Sequence, residues 1–190
     1  MSGRFLASSG IISFAKNYLS TCPQNAILIT AGDIDTYPLL YCQSKLKFRQ
    51  DVRIINTSLL NVPRYVAHHR NSLENCDKVD FGIPQEAIQD DNRAYLFVDH
   101  MNTNEVELKD VIDSIAQQPT AEANISSKPS MLPSNYKITS DNGIFRFSIK
   151  RQVIYRNDLM LLGLIANNDS NRPICFTNGH NPNNLLGLTE

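Results

Sequence analysis

The chain predicts an α/β fold: a three-layer domain built on a mostly parallel, Rossmann-like sheet of about five strands, with one edge or antiparallel strand. Three observations carry that expectation. From Gly10 to Leu73 the order is helix, strand, helix, strand, helix, which is the signature of parallel strands joined by crossover helices. The runs NAILIT (25–30) and RPICFTN (172–178) are short and apolar, as buried strands are. The length of 190 residues, with 42% hydrophobic and 19% charged residues, suits a single folded domain over 1–190.

The elements follow in order. In GIISFAKNYLSTCPQ (10–24), Ile11, Phe14, Ala15, Tyr18 and Leu19 fall at helical spacing, and Pro23 stops the helix. NAILIT is the first strand. TYPLLYCQSKL (36–46) reads as a helix with Thr36 as N-cap and Pro38 in its first turn. DVRIINTSLL (51–60) is a second strand, and VPRYVAHHRNSL (62–73) a helix opened by Pro63. RAYLFVDHM (93–101) is a third strand. NEVELKDVIDSIAQQ (104–118) is a helix in which Asn104 and Glu107 have capping-box spacing and Leu108, Val111, Ile112 and Ile115 share a face. Residues 119–135, with three prolines and several serines, read as a mobile loop. GIFRFSIK (143–150) alternates apolar and polar, as an edge or antiparallel strand does. NDLMLLGLIANN (157–168) is apolar nearly all round and predicts a buried helix, followed by the last strand.

Charge and cysteine usage narrow the function classes. A net charge of −1 with scattered basic residues offers no electrostatic footprint for nucleic acid. No apolar run reaches the roughly 20 residues that span a bilayer. The cysteines Cys22, Cys42, Cys76 and Cys175 form no CxxC and no zinc spacing with histidine, so they read as free thiols.

Ligands of parallel sheets sit beyond the carboxyl ends of the strands. Three clusters lie at such ends: Asp33, Asp35 and Thr36; Asn56, Thr57 and Ser58; and Thr177, Asn178, Gly179 and His180. They share a crevice if their strands are neighbours. The stretch GDIDT admits three readings. An Asp-x-Asp pair of hard oxygens could hold Mg²⁺ or Mn²⁺ bridging a sugar nucleotide or sugar phosphate. A phosphatase-like nucleophile would need the first Asp directly on the strand end, where Ala31 and Gly32 intervene. In the third reading Gly32 makes a sharp turn, the two aspartates accept backbone N–H bonds, and Thr36 caps the helix. The third needs no metal or other cofactor and is favoured.

The segment NAILITAGDIDTYPLLYCQSKLKFRQDVRIINTSLLNVPRYV resembles one found in large bacterial membrane proteins related to the transmembrane protein O-mannosyltransferases. That family commonly reads GDNDTFPLWYAQ and then RTDVRVVNLSLLNTDWY. Gly32, Asp33, Asp35, Thr36, Pro38, Leu39, Tyr41 and Gln43 match the first block; Arg49, Asp51, Val52, Arg53, Asn56, Ser58, Leu59, Leu60, Asn61 and Tyr65 match the second. DLMLLGLIANNDSNRPICFTN and NLLGL are similar to a third block. Ile34 stands where the family has Asn, and Cys175 where it has Tyr. The resemblance implies a fragment excised from a longer membrane protein. Its leading function is a non-catalytic accessory domain on the extracytoplasmic (periplasmic) side, beside the membrane-embedded region of the same polypeptide, with acceptor protein or glycan as further partners. The rival is an enzyme domain binding a metal or sugar phosphate through Asp33 and Asp35, with Thr36, Asn56, Ser58, Asn178 and His180 around them.

Overall fold

The structure, a computed structural model, describes residues 9–73, 75–89, 93–117, 131–140, 143–168 and 172–179, together with Leu186 and Leu188. In chain order the elements are α1 (Ser9–Thr21), β1 (Ile27–Thr30), α2 (Asp33–Leu46), β2 (Arg53–Asn56), α3 (Pro63–His69), β3 (Tyr95–Asp99), β4 (Glu105–Glu107) and α4 (Leu108–Gln117). There follow β5 (Met131–Pro133), β6 (Asn135–Ser140), β7 (Gly143–Ser148), β8 (Val153–Tyr155), α5 (Arg156–Ala166) and β9 (Ile174–Phe176).

The single five-stranded Rossmann-like sheet is not formed. The described strands make three sheets of three, ordered β2-β1-β9, β5-β3-β8 and β4-β6-β7. The first is wholly parallel, whereas β3–β8 and β6–β7 are antiparallel. The physical reason lies in β3. Its apolar run suits a buried parallel strand, yet Tyr95 and Phe97 face outward and its partners are β5 and β8. Period and composition report that a strand exists but not which strand it pairs with.

The chain divides into two compact units. The first comprises residues 1–58, 72–77 and 171–180. Its sheet registers Leu28 beside Ile54 and Cys175, so these three side chains share a face. On that face Ala15 and Leu19 of α1, Leu39 and Cys42 of α2, and Leu28 and Ile54 form one apolar core. Both helices therefore lie on the same side of this sheet. The α1 end is held by Arg49, whose guanidinium donates to the carbonyls of Leu19 (2.7 Å), Cys22 (2.8 Å) and Pro23 (2.9 Å) and grips both oxygens of Asp51 (2.8 and 2.9 Å). The Leu19 carbonyl is one that the last turn leaves without a helical partner, and the other two follow the helix end.

The second unit comprises residues 59–71, 78–170 and 181–190. Its α5 is buried along most of its length, as its mostly apolar sequence predicts. Gly163 lets α5 approach closely: a Cβ there would sit 2.2 Å from the Phe81 carbonyl oxygen. Asp158 accepts the backbone N–H of Tyr155 and a bond from Arg151, both at 3.0 Å, closing the start of α5.

Several local expectations are corrected. Asn104 and Glu107 do not cap a helix: residues 105–107 pair in parallel with β6, and α4 starts only at Leu108. Glu107 instead accepts from the backbone N–H and hydroxyl of Thr139. Of the stretch read as a mobile loop, 131–133 forms β5 and Asn135 begins β6, and 119–130 lies outside the described residues. Thr36 is not the N-cap of α2. The helix begins three residues earlier, with Gly32 as N-cap.

Candidate functional site at the carboxyl ends of β1, β2 and β9

The order β2-β1-β9 makes the three strands neighbours, and all three run in parallel. Their carboxyl ends therefore meet beside the N-terminus of α2. Asp33, Asp35, Thr36, Asn56, Ser58 and Asn178 all lie in this region of one unit, whereas His180 lies outside the described residues.

The site is built around Thr36. Its hydroxyl donates to the Gly32 carbonyl at 2.6 Å, one helical turn back. It accepts from the amide of Asn56 at 3.1 Å, and the Thr30 hydroxyl lies 2.6 Å away. Thr30 and Asn56 are fully buried and Thr36 is 3% exposed. These polar groups are thus removed from water and depend on one another. Asn56 also accepts the backbone N–H of Ser58 at 2.9 Å, and the Ser58 hydroxyl donates to the Ala31 carbonyl at 3.1 Å. The result is a joint that ties the ends of β1 and β2 to the first turn of α2.

Asp35 completes the joint on the β9 side. Its carboxylate accepts the backbone N–H groups of Ala31 (3.1 Å) and Gly32 (3.3 Å) and the hydroxyl of Thr177 (2.5 Å). Burial alone would raise its pKa. The bonds from Thr177, Ala31, its own N–H and Gly32 outweigh burial and hold the carboxyl below its ordinary value. Gly32 has φ −171° and ψ −166°, an extended conformation open to any residue, and a Cβ there would meet nothing within 4 Å. The expected glycine turn is therefore not what shapes this corner; Asp35 and Thr36 shape it. Asp33, by contrast, is exposed, with the Asn56 amide 3.4 Å from its Oδ1, and the intervening Ile34 is 94% exposed.

Chemically, two carboxylates already occupy the first turn of α2. The positive end of a helix that would otherwise attract a phosphate is answered from within the chain. Among the described residues no group of three or more His, Cys, Asp or Glu is placed to hold a metal ion. Asn178 does not point its backbone into this network: its N–H donates to the Tyr18 hydroxyl of α1 at 3.0 Å. His68 and His69 lie on α3, with ring centroids 5.4 Å apart. Pattern alone does not single out Thr30 or Tyr18. Thr30 carries one usable signal, a polar residue closing an otherwise apolar strand; Tyr18 reads from its spacing only as a core residue of α1.

The arrangement defines the chain as mixed α/β, with an internal polar joint that ties the strand ends to the start of α2. Its family is shown directly by sequence. The chain belongs to the family described as TMEM260-associated domain 2, which it matches over residues 11–143 and 137–190. That membership relates it to TMEM260-like membrane proteins as an accessory domain. No curated protein and no solved structure matched the chain. Among the described residues no helix is long and apolar enough to cross a membrane.

Proposed function

We propose that this chain is a non-catalytic accessory domain on the extracytoplasmic side of a glycosyltransferase-like membrane protein, one related to the protein O-mannosyltransferases. Its surface would receive acceptor protein or glycan, and sugar transfer would belong to the membrane-embedded region of the parent. The observation that carries this reading is the state of Asp35. Both its oxygens are used by donors of its own unit, and its carboxyl is held low. A general acid or base works best with a pKa near the operating pH. Three of the roughly four lone-pair sites of this carboxylate are already taken by donors of the chain itself. The same device starts α5, where Asp158 accepts the Tyr155 N–H. An aspartate three residues into a helix thus serves this chain twice as a fastening.

One observation favours the rival metal- or sugar-phosphate-binding enzyme: Asp33 is open to solvent at the strand ends. The two readings part in the parent membrane protein carrying Asp33→Asn and Asp35→Asn. The accessory reading expects sugar transfer per folded molecule to stay within about threefold of wild type, with reduced thermal stability. A loss of kcat beyond about 100-fold at unchanged folded content would assign the chemistry to these aspartates instead, as expected when a transition-state interaction is removed.

A further inference from the structure

We infer that Cys22 and Cys175 are a dithiol that closes to an intramolecular disulfide, fastening the end of α1 to strand β9. Cys22 directly follows the last residue of α1 and is buried. Cys175 is the middle residue of β9 and pairs with Leu28, so its side chain lies on the helix-bearing face. Both belong to the core that contains Ala15, Leu19 and Leu28. Both also line one cavity of about 460 Å³, walled by Phe14, Tyr18 and Phe176. The Cys22 thiol donates to the Tyr18 carbonyl at 3.4 Å and lies near enough to Cys175 for the two to influence each other electrostatically. Neither Cys42, which reaches the Ile12 carbonyl at 4.0 Å, nor Cys76, which receives the Arg172 guanidinium at 3.8 Å, lines this cavity.

The cavity gives the pair access to a small oxidant, since its volume lies in the range that admits small molecules. Cys175 is partly exposed there, whereas Cys22 is buried. Burial, with the neighbouring Cys175, pushes the Cys22 thiol up to about 11, so it holds its proton until it reacts. The oxidant required is a low-molecular-weight disulfide, RSSR. The Cys175 thiolate attacks one sulfur of RSSR, forming a mixed disulfide and releasing RS⁻. Cys22 then attacks the Cys175 sulfur, loses its proton to the departing thiolate, and releases RSH. The protein gives up two electrons and two protons, and RSSR becomes two RSH. The bridge closes a loop of most of the chain, where the entropic gain from cross-linking is largest. This inference stands independently of the accessory reading.

The test treats the folded 190-residue chain with oxidised glutathione, alkylates it, and maps its peptides by mass spectrometry. The expected product has lost two hydrogens, links the Cys22 peptide to the Cys175 peptide, and melts several degrees higher than the reduced form. Dithiothreitol should reverse both changes. Cys42→Ser should leave the link in place. Cys175→Ser, a change at a partly exposed site, should abolish both the link and the redox dependence of Tm. Three outcomes overturn the inference: all four thiols remaining alkylatable after unfolding, glutathione persisting as a mixed disulfide on Cys175, or a bridge that maps to another pair.

Discussion

Asp35 sits between two opposing effects, and which one wins decides its role. Burial disfavours its charge, while three neighbouring donors and its own N–H favour it, and the donors win. Because its pKa is lower in the folded chain than in the unfolded one, its stabilisation is present above the unfolded value of about 3.9 and is lost as pH falls through the folded value. Asp51, held at about 2 mainly by the Arg49 guanidinium, acts in the same direction. Acid titration of stability should therefore show a decline beginning near pH ~5, and Asp35→Asn should flatten part of it. At neutral pH that variant should cost about 1–3 kcal/mol, because buried N–H and hydroxyl donors lose a charged acceptor. Chemical denaturation at several pH values checks both statements; an Asp35→Asn profile parallel to wild type would remove Asp35 from the joint. Arg49 is the second residue whose loss should be felt. Arg49→Met keeps the stem but strands the carbonyls of Leu19 and Cys22 together with Asp51. A loss of about 2 kcal/mol is expected from urea unfolding, and a larger one than for Asp51→Asn, which leaves the carbonyl bonds intact.

At the scale of elements, much of the chain was legible. The helical spacing of Ile11 to Leu19, the Pro63 helix start, a strand within 25–30 and the mostly apolar helix expected over 157–168 each occur within a few residues of where local pattern places them. What misled was end chemistry. Thr36 has the composition of an N-cap, but Asp35 reaches back to the Gly32 N–H, so the helix starts earlier and Thr36 becomes the hub of a buried network. Asn104 and Glu107 have capping-box spacing, yet a parallel partner, β6, claims residues 105–107. Both cases are tertiary contacts overriding a local signal. The packing of α5 supplies a test at this scale. A Cβ added at position 163 would lie 2.2 Å from the Phe81 carbonyl oxygen. Gly163→Ala should therefore cost roughly 3 kcal/mol despite the better helix propensity of alanine. A thermal melt in which Gly163→Ala matched or exceeded wild type would refute that close approach.

For the molecule as a whole, the alternation of helices and strands was readable and the pairing of the strands was not. The strands up to β2 do form parallel β structure, and the strand ends bearing Asp35, Asn56 and Thr177 do become neighbours. Extending that alternation to one sheet failed because strands of three to six residues can find partners in either direction, and nothing in a run such as YLFVD encodes which. That Asp35, Thr36 and Asn56 lie together at strand ends was legible; their state was not. Whether two aspartates at a strand end face a ligand or their own backbone depends on donors as distant in sequence as Thr177. If the aspartate pair fastens the fold, one comparison decides the matter: thermal unfolding of the wild-type chain and of Asp33→Asn plus Asp35→Asn, each with and without millimolar Mg²⁺ or Mn²⁺. The expected result is midpoints unmoved by either ion and a lower midpoint for the double variant in every condition. The opposite result is a wild-type midpoint raised by metal, by the ~2.7 kcal/mol that a ligand at 100 times its dissociation constant supplies, and a variant that loses that rise. It would make the pair a metal site instead of a fastening.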